Sequence, residues 1–83
     1  MEYKIMIVED DKVIARALAS HLSKWNYDTR CIEDFKNIIE EFEQYDPQLV
    51  LLDIMLPFFN GFHWCQEIRK VSEVPIIFLS SAN

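Results

Sequence analysis

Three acidic residues stand directly after two short apolar segments of this sequence. Glu9 and Asp10 follow the segment Ile5–Val8, and Asp53 follows Leu49–Leu52. Carboxylate oxygens favour hard cations such as Mg²⁺, often together with phosphate oxygens. A carboxylate beside such an ion can also attack phosphorus and form an aspartyl phosphate. These residue types therefore indicate phosphoryl-transfer chemistry, provided that the fold brings the three side chains together.

The pattern of apolar residues predicts four strands that alternate with three helices. The strands are predicted at Ile5–Val8, Asp28–Ile32, Leu49–Leu52 and Pro75–Leu79, and the helices begin near Lys12, Asp34 and Phe62. Asp10 or Asp11 is placed to cap the first helix, Asp34 the second, and Asn26 suits a left-handed exit from the first. Alternation of this kind predicts parallel pairing through right-handed crossovers, and so a three-layer α/β domain.

Each predicted helix has one apolar face that we expect to lie against the sheet. The expected inward residues are Ile14, Leu18, His21, Leu22 and Trp25 in the first helix, Phe35, Ile38, Ile39 and Phe42 in the second, and Phe62, Cys65 and Ile68 in the third.

Parallel strands end at one edge of their sheet, where ligands of such folds bind. Glu9, Asp10, Asp53 and the hydroxyl of Ser80 are therefore expected at that edge. A single acid after a strand is more often a helix cap or a solvated residue. Two carboxylates about 4 Å apart, however, repel by roughly 4 kcal/mol at an effective dielectric of 20. Three together predict a cation, and the oxygen ligands favour Mg²⁺.

The motifs resemble those of response regulator receiver domains in two-component signalling. The resemblance rests on Ile-Val-Glu9-Asp10-Asp11, on Leu-Leu-Asp53-Ile-Met-Leu-Pro57-x-x-x-Gly61 and on Pro75-Ile-Ile-Phe-Leu-Ser80. It implies a flavodoxin-like (CheY-like) doubly wound parallel sheet with the strand order 2-1-3-4-5.

The resemblance also implies a role for each matching residue. Asp53 resembles the phosphoacceptor, Asp10 the direct Mg²⁺ ligand, Glu9 an acid that holds the ion through water, and Met55 the residue whose main-chain carbonyl completes the site. Ser80 occupies the position of the hydroxyl that bonds to the phosphoryl group, with Ser81 a weaker candidate. Pro57 and Gly61 shape the loop after the acceptor.

The sequence departs from the family pattern in two ways. Phe58-Phe59-Asn60 replaces the usual glycine and acid after Pro57, and residues 1–83 match only about two thirds of a receiver domain. The fourth helix, the fifth strand with its phosphate-binding lysine, the fifth helix and an output domain are not among them. We therefore expect residues 1–83 alone to bind Mg²⁺ weakly, to be phosphorylated slowly, and to self-associate through the open fourth strand.

Composition and resemblance together define the expected partners. The net charge of −6 argues against nucleic-acid binding by this segment, so DNA contact is expected only from an output domain, which similar regulators have as a winged helix. The resemblance implies a sensor histidine kinase as phosphodonor. The cysteines Cys31 and Cys65 lack disulfide or zinc spacing and suit a reduced, cytoplasmic location. The apolar segments are too short to span a membrane.

Two other classes of function use a similar acidic site or the same fold. Haloacid-dehalogenase-type phosphatases and toprim-type nucleases require a second aspartate two residues after the first, where this sequence has Met55. An enzyme with a separate substrate is therefore not expected. The stronger alternative is a receiver-fold interaction module that phosphorylation does not regulate.

Overall fold

A computed structural model describes residues 3–79 as four β-strands that alternate with three α-helices. The elements are β1 (Tyr3–Val8), α1 (Lys12–Ser23), β2 (Tyr27–Cys31), α2 (Ile38–Tyr45), β3 (Leu49–Asp53), α3 (Gly61–Arg69) and β4 (Ile76–Leu79). The predicted order of element types is therefore confirmed.

The sheet positions the site through its strand order and register. All pairings are parallel, and the order is β2-β1-β3-β4. β1 and β3 are neighbours, with Val8 beside Leu52. The next residue along each strand, Glu9 and Asp53, therefore lies at the same carboxyl edge. This edge is where the strand order reverses, which is the usual ligand position in a doubly wound sheet.

The two faces of the sheet are covered by different helices. On one face α2 and α3 enclose the main apolar core, whose buried members from β1 and β3 are Met6, Val8, Val50 and Leu52. On the other face α1 lies against β1 and β2. Because side chains alternate along a strand, Ile5 and Ile7 point to this second face, where they too are buried. The three-layer α/β prediction is confirmed.

The buried face of α1 differs from the prediction. Ala15 is the buried residue of this helix, and Leu18, Ala19 and Leu22 are half-buried, whereas Ile14, His21 and Trp25 are exposed. The small side chain of Ala15 allows the helix to approach the sheet closely, with the half-buried Leu18, Ala19 and Leu22 on the same face. The predicted inward positions of Ile14, His21 and Trp25 were wrong, although the left-handed exit at Asn26 is confirmed by its φ of 66°.

The second helix begins later than predicted. The carboxylate of Asp34 accepts a hydrogen bond from the Lys36 amide (3.0 Å), which makes a local turn instead of a helix cap. The helix begins at Ile38 after Asn37. Ile38 and Phe42 are buried as expected, and Phe35 packs against the core from the preceding turn.

The third helix exposes one residue that was expected inside, and the fourth strand exposes two apolar residues. In α3, Trp64 and Ile68 are buried, Cys65 is half-buried and Phe62 is exposed. Ile77 and Phe78 of β4 are exposed because this strand is outermost in the described sheet and no helix of residues 3–79 covers it. No helix in residues 3–79 has the length and apolar character needed to cross a bilayer.

Candidate phosphoacceptor site

Three carboxylates converge at the carboxyl edge of the sheet. One carboxylate oxygen from each of Glu9, Asp10 and Asp53 lies within 4.8 Å of the other two. Glu9 is only 8% exposed and Asp53 only 3%, whereas Asp10 is exposed. The structure therefore brings together the three acids that the sequence predicted at one edge.

The three acids in the turn between β1 and α1 have different structural roles. The main-chain amide of Asp11 donates a hydrogen bond to Glu9 Oε2 (3.0 Å), which orients the Glu9 carboxylate. Asp11 Oδ1 accepts hydrogen bonds from the amides of Val13 (3.0 Å) and Ile14 (3.3 Å). Asp11 therefore caps α1. The cap role does not fall to Asp10, whose carboxylate joins the cluster instead.

The loop between β3 and α3 curls back over the end of β3. The Met55 amide donates to Asp53 Oδ1 (3.3 Å), so the loop helps to orient the Asp53 carboxylate. The Gly61 amide donates to the Ile54 carbonyl (2.8 Å) and closes the loop. Asn60 Oδ1 then accepts from the His63 amide (3.0 Å) and caps α3.

Gly61 is required by close approach of the backbone. A Cβ at this position would lie 2.3 Å from the main-chain oxygen of Asp53 and 2.9 Å from the Ile54 Cα. These are backbone atoms, so the loop itself would have to move to accept a side chain. Pro57 lies in the same loop, and its carbonyl accepts from the Phe59 amide (2.8 Å).

The environment of the cluster strongly raises the pKa of Glu9. The pKa of this carboxyl is raised to about 7, chiefly because burial removes water from it and also because of the charge and hydrogen bond of Asp53 and the charge of Asp10. The hydrogen bond from the Asp11 amide acts in the opposite direction and lowers the pKa. Glu9 therefore carries a proton for much of the time near neutral pH when no cation is bound. Perturbed carboxyl groups of this kind are frequent at functional sites.

The acids line an open cavity of about 470 Å³. Its polar walls are the acids Glu9, Asp10, Asp11 and Asp53, and Met55, Phe78 and Leu79 are among its apolar walls. Asp53 is buried by its neighbours yet borders this cavity, so a reacting group can reach it. A hard divalent cation suits the donors, because the cluster of described residues consists of carboxylates alone.

One predicted site residue lies outside the described part of the chain, and two features near the site were not predicted. Ser80, the predicted switch hydroxyl, lies outside the described residues, as does Ser81. Sequence reasoning did not identify Phe78 as a wall of the cavity, nor the contact between Lys36 and Phe58, whose ammonium nitrogen lies 4.8 Å from the ring centre. The missing glycine after Pro57 was the available signal for an unusual loop.

Comparison with known proteins identifies the family. The model of the response regulator receiver domain matches residues 5–83. This chain belongs to that family. Its relatives include the sensory transduction protein BceR of Halalkalibacterium halodurans, which is 51% identical over 95% of this chain and 34% of its own length. Response regulator protein GraR of Staphylococcus aureus is 44% identical over 94% of this chain and 35% of its own length.

Solved structures give the same result for the fold. The N-terminal domain of the nisin resistance regulator NsrR, described as a lantibiotic response regulator, superposes with a TM-score of 0.91 at 44% identity, over all of this chain and 70% of that one. This chain thus spans about a third of the length of the curated relatives and about two thirds of a solved receiver domain.

Proposed function

We propose that this receiver domain accepts a phosphoryl group on Asp53, with Mg²⁺, from a sensor histidine kinase. The observation that carries the proposal is the convergence of the Glu9, Asp10 and Asp53 carboxylates within 4.8 Å at the edge where β1 and β3 end. Such a cluster of like charges destabilises the protein by itself. It is useful when a cation fills it and one carboxylate reacts.

The described acids and one carbonyl would hold the ion. We assign Asp10 as a direct ligand, Glu9 as an acid that acts through water, and Asp53 and the Met55 carbonyl as the remaining protein ligands. Bound Mg²⁺ would supply positive charge to neutralise the transferring phosphoryl oxygens. This charge would also displace the proton that Glu9 holds near neutral pH.

The reaction assigned to Asp53 is a simple displacement. One carboxylate oxygen of Asp53 attacks phosphorus, the bond between phosphorus and the donor histidine nitrogen breaks, and the nitrogen keeps the bonding electron pair. The product is a mixed anhydride between phosphate and the Asp53 carboxyl. The hydrogen bond from the Met55 amide to Oδ1 holds the carboxylate in one orientation. This positioning leaves the other oxygen, Oδ2, as the proposed nucleophile.

Three further residues have proposed roles after or around this step. We assign the Ser80 hydroxyl, on the basis of its position in the sequence, to bond to the phosphoryl oxygen and report phosphorylation. Pro57 and Gly61 are assigned to shape the β3–α3 loop, and the lack of space for a Cβ at Gly61 supports the second assignment.

The proposal extends to the protein as a whole through its relatives. Among them are a transcriptional regulatory protein of Bacillus subtilis, YvcP, and the lantibiotic response regulator NsrR. We propose that phosphorylation controls a DNA-binding output domain of the winged-helix type, in the cytoplasm, in response to cell-envelope or antimicrobial-peptide stress. The net charge of −6 on residues 1–83 supports placing DNA contact elsewhere in the protein.

Phosphorylation of the full-length protein tests the proposal directly. The protein is incubated with acetyl phosphate and Mg²⁺, and its intact mass is measured with and without later hydroxylamine, which cleaves acyl phosphates. We expect one phosphoryl group in the wild type, its removal by hydroxylamine, and none in Asp53→Asn. Phosphorylation of Asp53→Asn at the wild-type level would contradict the assignment. Residues 1–83 alone should react more slowly than the full-length protein.

The competing function is a receiver-fold interaction module that phosphorylation does not regulate. It predicts that Asp53→Asn and the wild type give the same transcriptional output in cells, with and without the stimulus. We expect instead that Asp53→Asn abolishes the response. The convergence of Glu9, Asp10 and Asp53 favours regulation by phosphorylation over this alternative.

A further inference from the structure

Phe58 adopts a backbone conformation that is unfavourable for its residue type. Its φ is 68°, in the left-handed region that glycine and asparagine accept readily and a bulky residue does not. Its side chain is 66% exposed, so burial of the ring offsets little of this penalty. Strain of this kind at a functional site calls for an explanation in terms of what the side chain does.

The neighbouring aromatic residue shows what ordinary packing in this loop looks like. The Phe59 ring stacks on His63, with centroids 4.3 Å apart, and meets Trp64 edge-on at 5.6 Å. Phe59 therefore anchors the loop to α3. Phe58 instead meets a charged side chain, the ammonium group of Lys36 at 4.8 Å from its ring centre.

The Lys36–Phe58 pair joins the two connections that follow the carboxyl ends of β2 and β3. Phe58 is in the β3–α3 loop, five residues after Asp53, and Lys36 is in the β2–α2 connection. Phe35, next to Lys36, lines a second cavity of about 270 Å³ together with Glu9 and Asp10. The pair thus links two loops at the carboxyl edge of the sheet, over which any protein that phosphorylates Asp53 has to approach.

We propose that Phe58, held by Lys36, is a contact residue for the kinase that donates the phosphoryl group. The inference rests on the proposed function and adds to it a surface for partner recognition. An exposed aromatic ring beside a free ammonium group suits an apolar side chain flanked by a carboxylate on the kinase. Small phosphodonors, which do not cover this surface, should not depend on it.

Comparison of two phosphodonors in the full-length protein tests this proposal. Phe58→Asn removes the ring and tolerates the left-handed backbone. Phe58→Tyr keeps the ring. Trp25→Ser is the matched control, because Trp25 is equally exposed (68%) but follows α1 at the opposite edge of the sheet. The kinase used is the autophosphorylated sensor histidine kinase of the same organism that transfers fastest to the wild type, and the small donor is acetyl phosphate.

We expect Phe58→Asn to lower kcat/KM for transfer from the kinase about tenfold, as for an interface aromatic residue. Its rate with acetyl phosphate and its melting temperature should not fall. Phe58→Tyr and Trp25→Ser should transfer like the wild type. An unchanged kinase rate in Phe58→Asn, or an equal loss with both donors, would overturn the contact role. Failure of the wild type with acetyl phosphate would instead contradict the proposed function itself.

Discussion

The bodies and the ends of β1 and β3 are neighbouring regions with opposite physical character. Val8 and Leu52 lie side by side and are fully buried among apolar side chains. One residue further, Glu9 and Asp53 lie side by side and are nearly as buried, but they are carboxylates. The first pair stabilises the fold, whereas burial and mutual repulsion of the carboxylates in the second pair oppose it. The parallel register produces both, so the core supports a site that could not be stable alone.

The largest change in stability is expected from a substitution in the apolar core. Leu52→Ala removes a fully buried side chain and should lower the free energy of unfolding by about 2–5 kcal/mol. Urea denaturation of the full-length protein measures it, with the receiver transition followed by tryptophan fluorescence. Val13→Ala, at an exposed position of α1, is the control and should stay within about 0.5 kcal/mol of the wild type. Similar losses in both variants would contradict the assignment of the core.

The second-largest effect is expected at the buried Glu9, where the substitution Glu9→Gln should increase stability relative to the wild type as the pH rises. The pKa of Glu9 is raised to about 7 in the folded protein, so its stabilising contribution is present at low pH and is lost as the pH rises through 7. The glutamine in Glu9→Gln cannot ionise, so this variant does not lose stability in this way. Without divalent cations, the stability of Glu9→Gln relative to the wild type should therefore rise by about 2–3 kcal/mol between pH 5 and pH 8. If the free energies of unfolding of the two proteins changed with pH in parallel, the raised pKa of Glu9 would be refuted.

Sequence reasoning predicted that the acids converge and repel each other, but not that the pKa of Glu9 is the one that is raised. Glu9 and Asp53 follow apolar strands, and the topology of a parallel sheet then places them at one edge. The pKa of Glu9, however, depends on how much water reaches it. That depends on the packing of residues distant in the sequence.

Helix faces were predicted less well for a related reason. The periodicity of α1 is compatible with several buried stripes, and the size of Ala15 decided which one contacts the sheet. Asp34 has the residue type of a helix cap, yet its carboxylate closes a turn with the Lys36 amide. The Lys36–Phe58 contact joins two loops and so leaves no periodic signal in the sequence.

Magnesium should reverse the destabilisation at the strand ends. Because Mg²⁺ binding requires ionised carboxylates, its affinity should be about tenfold lower at pH 6 than at pH 8, given a Glu9 pKa of about 7. At ten times its dissociation constant, the ion should stabilise the protein by about 1.4 kcal/mol. Calorimetric titration at both pH values measures the affinity and the released proton. Glu9→Gln should remove most of the pH dependence, and an equal affinity of the wild type at both values would count against proton displacement.

The smallest effect is expected at the other exposed region, the β4 edge. In the described sheet β4 is outermost, and its Ile77 and Phe78 side chains are exposed. Unpaired strand edges with apolar side chains favour pairing between molecules, and a lysine on the edge opposes it. A polypeptide of residues 1–83 should therefore gain apparent mass with concentration in light scattering, and Ile77→Lys should reduce that gain. A monomer at all concentrations would mean that the β4 edge does not drive self-association.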